Sequence, residues 1–173
     1  RGTGQYFVAE ADESDGSFIA YKPLSAIVTN IEHDHVDFFH TPQEVTAAFA
    51  NFAATISSDG FLIYCADDEG SRKLGTESHP FTTVSYGESE GADLRIDQIA
   101  LLPMGSSARV IWHGRTVGTL ELQVPGHHNV LNAAAYIAMG LSLGEPIHQL
   151  LAGLHSFRGA GRRFELKATE HGI

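Results

Sequence analysis

The sequence has one cysteine, Cys65, in 173 residues. A lone cysteine excludes an internal disulfide framework and fits a reducing compartment such as the cytoplasm. It sits in the apolar run GFLIYC (60–65), where it reads as a buried structural thiol rather than a nucleophile. No apolar run approaches the ~18–20 residues that span a membrane, and no signal-peptide pattern opens the chain. Basic residues are scarce: 11 Lys and Arg against 21 Asp and Glu give a formal charge of −10. That balance argues against non-specific binding to nucleic acid or an anionic membrane. There is no H-x-x-x-H pair and no cysteine cluster, which disfavours zinc. The first residue is not Met, and RGTGQYF starts almost inside a strand, so the chain reads as a piece of something longer. The remaining composition (43% hydrophobic, 18% charged) is that of a globular domain with a real core.

Strand and helix signals alternate through the first half. QYFVAE (5–10) and LSAIVTNI (24–31) read as short buried strands, with a loop or helical turn between them. TPQEVTAAFANFAATI (41–56) reads as a helix with Thr41 as N-cap, Pro42 at the first position and Glu44 completing a capping box. FLIYC (61–65) is a third buried strand, and DDEGSRKLG (67–75) a short surface helix closed by Gly75. Such alternation implies a parallel α/β sheet. From 79 to 124 four β-like runs follow, separated by GESEGAD, PMGSS and HGRT, and read as an attached antiparallel subsheet with one wet face. Helices return at 127–144, ended by Gly144, and at 145–157.

The chemistry concentrates in two acidic stretches, FVAEADESDGSF (7–18) and TNIEHDHVDFF (29–39). Glu10 would end the first strand; Glu32, Asp34 and His35 follow the second. If the strands are neighbours, both loops meet over the crevice that open α/β sheets form at their carboxyl ends. Mg²⁺ needs only one or two protein ligands there. The same loops can equally be solvated, with Asp12 or Ser14 serving as helix caps. An EF-hand fails, because from Asp12 the glycine falls at loop position 5 and Pro23 occupies position 12.

Four blocks, EADESDGSF, VTNIEHDHVD, PGHHNVLNAAAYIA and FRGAGRRFE, occur in an order and spacing that resembles the central domain of the Mur ligases. DESD and TNIEHDH resemble the alanine-adding branch more than the sibling that attaches a preformed peptide. The resemblance implies ATP-dependent amide synthesis: the carboxylate of UDP-N-acetylmuramate becomes an acyl phosphate, and L-alanine displaces the phosphate. It implies ATP and Mg²⁺ (with Mn²⁺ as a substitute) as cofactors. By motif, Glu10 and His35 would be metal ligands, and His128, Asn129 and Asn132 would face the adenine. Asn129 and Asn132 share a helical face, and an amide offers a purine both a donor and an acceptor. They can also simply cap the helix. Arg163, with Arg162 as its alternative, would bind phosphate bidentately. Asp12, Glu13 and Asp15 would shape the loop.

No Gly-Lys pair occurs in the sequence, so the P-loop of the family is not among these residues. The expected organisation is a partial central domain over 1–164 and the start of a linker at 165–173. Such a piece is expected to be inactive alone and, with an open sheet edge near QYFVAE, to self-associate. No Lys lies between Lys22 and Lys73, which excludes the carbamylated lysine of several siblings. Two readings from other classes stay open at this stage. One is a self-contained metal-dependent hydrolase built on Glu10 and His35; the other is a non-enzymatic α/β interaction module.

Overall fold

A computed structural model describes residues 4–159. Six strands form one sheet in the order β1-β2-β3-β4-β5-β6: β1 Ala26–Val28, β2 Phe61–Cys65, β3 Thr82–Gly87, β4 Leu94–Leu102, β5 Gly105–Trp112 and β6 Arg115–Leu122. Four helices cover it: α1 Pro42–Ala53, α2 Glu69–Thr76, α3 His127–Ser142 and α4 Ile147–Ser156. Pairing is parallel from β1 to β4 and antiparallel from β4 to β6. This is the expected mostly parallel sheet with an antiparallel extension.

Strand β2 is buried on both faces, as its uninterrupted apolar run requires. Ile63 and Cys65 pack into the core beneath α3 and α4. Leu62 packs into a second core with Val45, Phe52 and Leu74 from α1 and α2. Cys65 is a free, buried thiol at 4% exposure. The N-cap of α1 forms as expected, with Thr41 Oγ1 accepting from Glu44 N at 3.3 Å. The Glu44 carboxylate reaches back one residue further than in a standard capping box, to His40 N at 2.7 Å. Helix α3 ends in a Schellman motif at Gly144, with Glu145 N donating to Gly140 O and Gly144 N to Leu141 O.

Three expectations change. QYFVAE forms no strand: Phe7 and Val8 are each 90% exposed, and β1 pairs only with β2. An apolar β-prone run sets a preference, but a ladder needs a neighbouring edge, and no described residue gives this segment one. Gly75 does not close α2, which continues to Thr76 and is capped by Glu77. It is glycine because any Cβ there would fall inside the Tyr64 ring. The first of the four β-like runs, β3, belongs to the parallel part. The helix between β2 and β3 returns the chain to the same end of the sheet, as a βαβ crossover does. Strand β4 then pairs with β3 over Tyr86↔Leu94 and Gly87↔Arg95 and runs on in the same direction. The antiparallel portion therefore begins at Leu94. The turn between β5 and β6 has positive φ at both His113 and Gly114, as the type I′ turn that matches strand twist requires.

Candidate functional site

The second acidic stretch follows the carboxyl end of β1, the first precedes that strand in the chain, and each is anchored by a phenylalanine. Phe18, in a 3-10 turn over Ser17–Ala20, lies with its ring 5.1 Å and 5.2 Å from those of Phe49 and Phe52 on α1. Phe39 holds the second loop in the same core. Between these anchors Gly16 adopts φ 71, and a Cβ there would come within 2.7 Å of the Phe38 ring. Glycine thus lets the loops close on each other, and His35 Nε2 comes to 3.5 Å from Glu13 Oε1.

Under this contact lies a cleft of about 170 Å³, lined by Glu13, Glu32, Asp34, Thr29 and Asn30 among others. His35 takes a left-handed backbone, φ 54, which histidine tolerates better than most side chains. Its carbonyl accepts from Phe38 N and Phe39 N at 2.9 Å and 3.0 Å, and its own N–H donates to Asp34 Oδ1 at 2.9 Å. The surrounding bonds hold that conformation in place.

The carboxylates of the first loop divide by their partners. Asp12 Oδ1 accepts from Ser14 N at 2.8 Å and Asp15 Oδ1 from Ser17 N at 2.9 Å. Hydrogen bonding from Ser14 holds the Asp12 carboxyl below the ordinary range, and Ser17 does the same for Asp15. Both close turns inside their own loop. Glu10 is exposed and does not end a strand, and neither it nor His35 is among the residues lining the cleft. Glu13, three positions later, is the carboxylate that reaches His35. The sequence carries no sign of that difference, because the four acids share one loop and the contact spans 22 positions.

Among the described residues no three His, Cys, Asp or Glu side chains form a ready-made cage for a metal. A hard divalent cation needs less, one or two oxygen ligands with water and phosphate completing the shell. The carboxylates around the cleft are oxygen donors of that kind.

The second group of expected residues lies at the start of α3. After Pro125, Gly126 provides the N-cap without a side-chain hydrogen bond. Asn129 Nδ2 donates to Pro125 O at 2.7 Å, tying the first turn to the preceding bend. Because a carbonyl can only accept, this bond fixes the amide orientation. His128 and Asn132 are exposed. His127, which the sequence did not single out, has its Nε2 2.7 Å from Glu88 Oε1 in the turn after β3. Arg162 and Arg163 lie outside the described residues.

These features define an open α/β domain with a polar cleft at the carboxyl edge of a parallel sheet, where this architecture binds ligands. Residues 1–140 match the family model described as the Mur ligase middle domain, and the chain belongs to that family. It is similar to UDP-N-acetylmuramate–L-alanine ligase of Paenarthrobacter aurescens, with 47% identity over 99% of this chain and 37% of the relative. The ligase of the same name from Oleidesulfovibrio alaskensis is 42% identical over 99% of this chain and 37% of its own length. Among solved structures, UDP-N-acetylmuramate-alanine ligase from Thermotoga maritima superposes with a TM-score of 0.79 at 29% identity. That match covers 92% of this chain and 35% of the other. The chain thus spans little more than a third of the length of these relatives.

Proposed function

We propose that the chain is the central ATP-binding portion of a cytoplasmic ligase that joins L-alanine to UDP-N-acetylmuramate in peptidoglycan synthesis. The observation that carries this reading is the convergence of the two acidic loops, Glu13 on His35, over one cleft at the carboxyl edge of the sheet. Its support is the similarity, over 99% of the chain, to relatives named for that reaction.

Two polyanions, a triphosphate and a carboxylate, must approach each other before a phosphoryl group can move. Bound Mg²⁺ screens that charge and stabilises the transferring phosphoryl group. On this chain, Glu10 and His35 are the proposed metal ligands. Glu13, which lines the cleft, pairs with the His35 ring, and Asp34 accepts from the His35 backbone N–H. Asn129 and Asn132 face the adenine ring from α3, with His128 beside them. Arg163 is the proposed phosphate ligand. The alanine amino group then attacks the carbonyl carbon of the acyl phosphate formed on the muramate carboxylate, making the amide and expelling inorganic phosphate.

The test uses the full-length protein carrying these residues, assayed for phosphate release from ATP with Mg²⁺. Release that requires both UDP-N-acetylmuramate and L-alanine supports the reading, together with a raised Mg²⁺ requirement in Glu10→Gln and His35→Ala. Release without L-alanine would favour hydrolysis and overturn it. Unchanged Mg²⁺ dependence in Glu10→Gln, with a shift in Glu13→Gln, would move the ligand role to Glu13.

A further inference from the structure

The turn between β3 and β4 is held from two sides by groups distant in sequence. Asp67, two residues beyond the end of β2, accepts from Glu88 N at 2.7 Å and Ser89 N at 2.9 Å, and from Ser89 Oγ at 2.5 Å. Ala66 N continues the β2–β3 alignment by donating to Tyr86 O at 2.7 Å. The Asp67 carboxylate therefore takes three donors from one turn and fixes Glu88 over the carboxyl end of the sheet. From there Glu88 Oε1 meets His127 Nε2 at 2.7 Å, in the first turn of α3. A carboxylate can only accept, so Nε2 carries the proton and donates. His127 is followed immediately by His128 and Asn129. Helix α3 has no side-chain N-cap and no acidic residue in its first turn, so its start relies on groups from elsewhere in the fold.

We propose that Asp67 and Glu88 form a strap that orients the first turn of α3, making Glu88 a positioning residue for the adenine-facing side chains. This rests on the nucleotide reading above and adds to it a residue outside the helix. Glu88 touches neither ring nor phosphate in this account; it acts through His127. The surface location suits the task, because a hydrogen bond between two half-exposed groups orients a helix end without being needed for folding.

The experiment measures the affinity of the full-length protein for ATP and for inorganic tripolyphosphate, both with Mg²⁺, by titration calorimetry. Glu88→Ala should weaken ATP about three- to tenfold, the range of one net hydrogen bond, and leave tripolyphosphate within about twofold. Glu88→Gln keeps an acceptor oxygen for His127 and should restore most of the ATP affinity. Asp67→Asn, which disturbs the turn itself, should fall between them. ATP binding that responds to Asn132→Ala but not to Glu88→Ala overturns this inference alone. A parallel loss of both ligands in Glu88→Ala does the same, because it marks a general structural defect. ATP binding indifferent to Asn132→Ala overturns the adenine reading and this inference with it.

Discussion

Ser71 in α2 is fully buried, and its hydroxyl joins three elements. Oγ donates to Val28 O at the end of β1, 2.9 Å away, and accepts from Cys65 N at the end of β2, 3.1 Å away. Asp68, the N-cap of the same helix, accepts from Ser71 N and also from Ile31 N at 3.1 Å. Together these bonds fix the backbone from 28 to 31, one wall of the acidic cleft. Ser71→Ala would leave a buried carbonyl and a buried N–H unpaired. At about 1–3 kcal/mol for each such group, less what is regained by not burying the hydroxyl, the net cost is about 2–4 kcal/mol. For a domain of this size that corresponds to a fall in melting temperature of about 4–16 °C. The assay is urea denaturation followed by far-UV circular dichroism, with Ser57→Ala as the control. The Ser57 hydroxyl only accepts from Asp59 N at 3.4 Å in an exposed turn, so its loss should cost less than about 0.5 kcal/mol. If Ser71→Ala is as mild as the control, the two bonds do not hold the cleft wall and the reasoning fails.

Two further stability tests follow from the packing and the surface charges. Gly75→Ala would gain about 1 kcal/mol in an exposed helix but here places a methyl group in the Tyr64 ring. A net loss of about 1–2 kcal/mol is expected from overpacking, reversing to a gain in a Tyr64→Ala background, as denaturation of the double mutant would reveal. On the wet face of the sheet, Arg109 donates twice to Asp97 at 2.7 Å, and Arg95 lies 3.2 Å away. The Arg109 hydrogen bonds hold the Asp97 carboxyl below its ordinary range. The unfolded chain therefore binds the proton first as pH falls. The contribution is complete above the ordinary carboxylate value of about 3.9 and disappears as pH drops through the depressed folded value. Denaturation midpoints of wild type and Asp97→Asn should differ most near neutrality and converge in acid; a constant difference would contradict the assignment.

What the sequence revealed clearly was local. Thr41, Pro42 and Glu44 marked the start of α1 because capping chemistry lies within four residues. Leu120 and Leu122 in β6 revealed their face through the two-residue period, and both are buried. Strand β3 was misplaced because its own residues do not encode the direction of its partner; the helix before it does. QYFVAE has the composition of a strand, but pairing depends on an edge elsewhere in the chain. At the site, residues of both loops line one crevice, but not by the expected route, since the strand that was to carry the first loop there does not form. The partner of His35 was hidden among four interchangeable carboxylates, and Glu88 meets His127 across 39 positions. Such contacts depend on tertiary geometry, so no spacing rule within one segment could have found them.

The central claim is that the fold serves phosphoryl transfer from ATP to a muramate carboxylate. Its most direct test is oxygen transfer in the full-length protein, using UDP-N-acetylmuramate labelled with ¹⁸O in the carboxylate. With ATP, Mg²⁺ and L-alanine present, mass spectrometry should find one labelled oxygen in each inorganic phosphate released, because the acyl phosphate breaks at its carbonyl carbon. Phosphate free of label would mean that water, and not the carboxylate, attacked the nucleotide, and the account would be wrong.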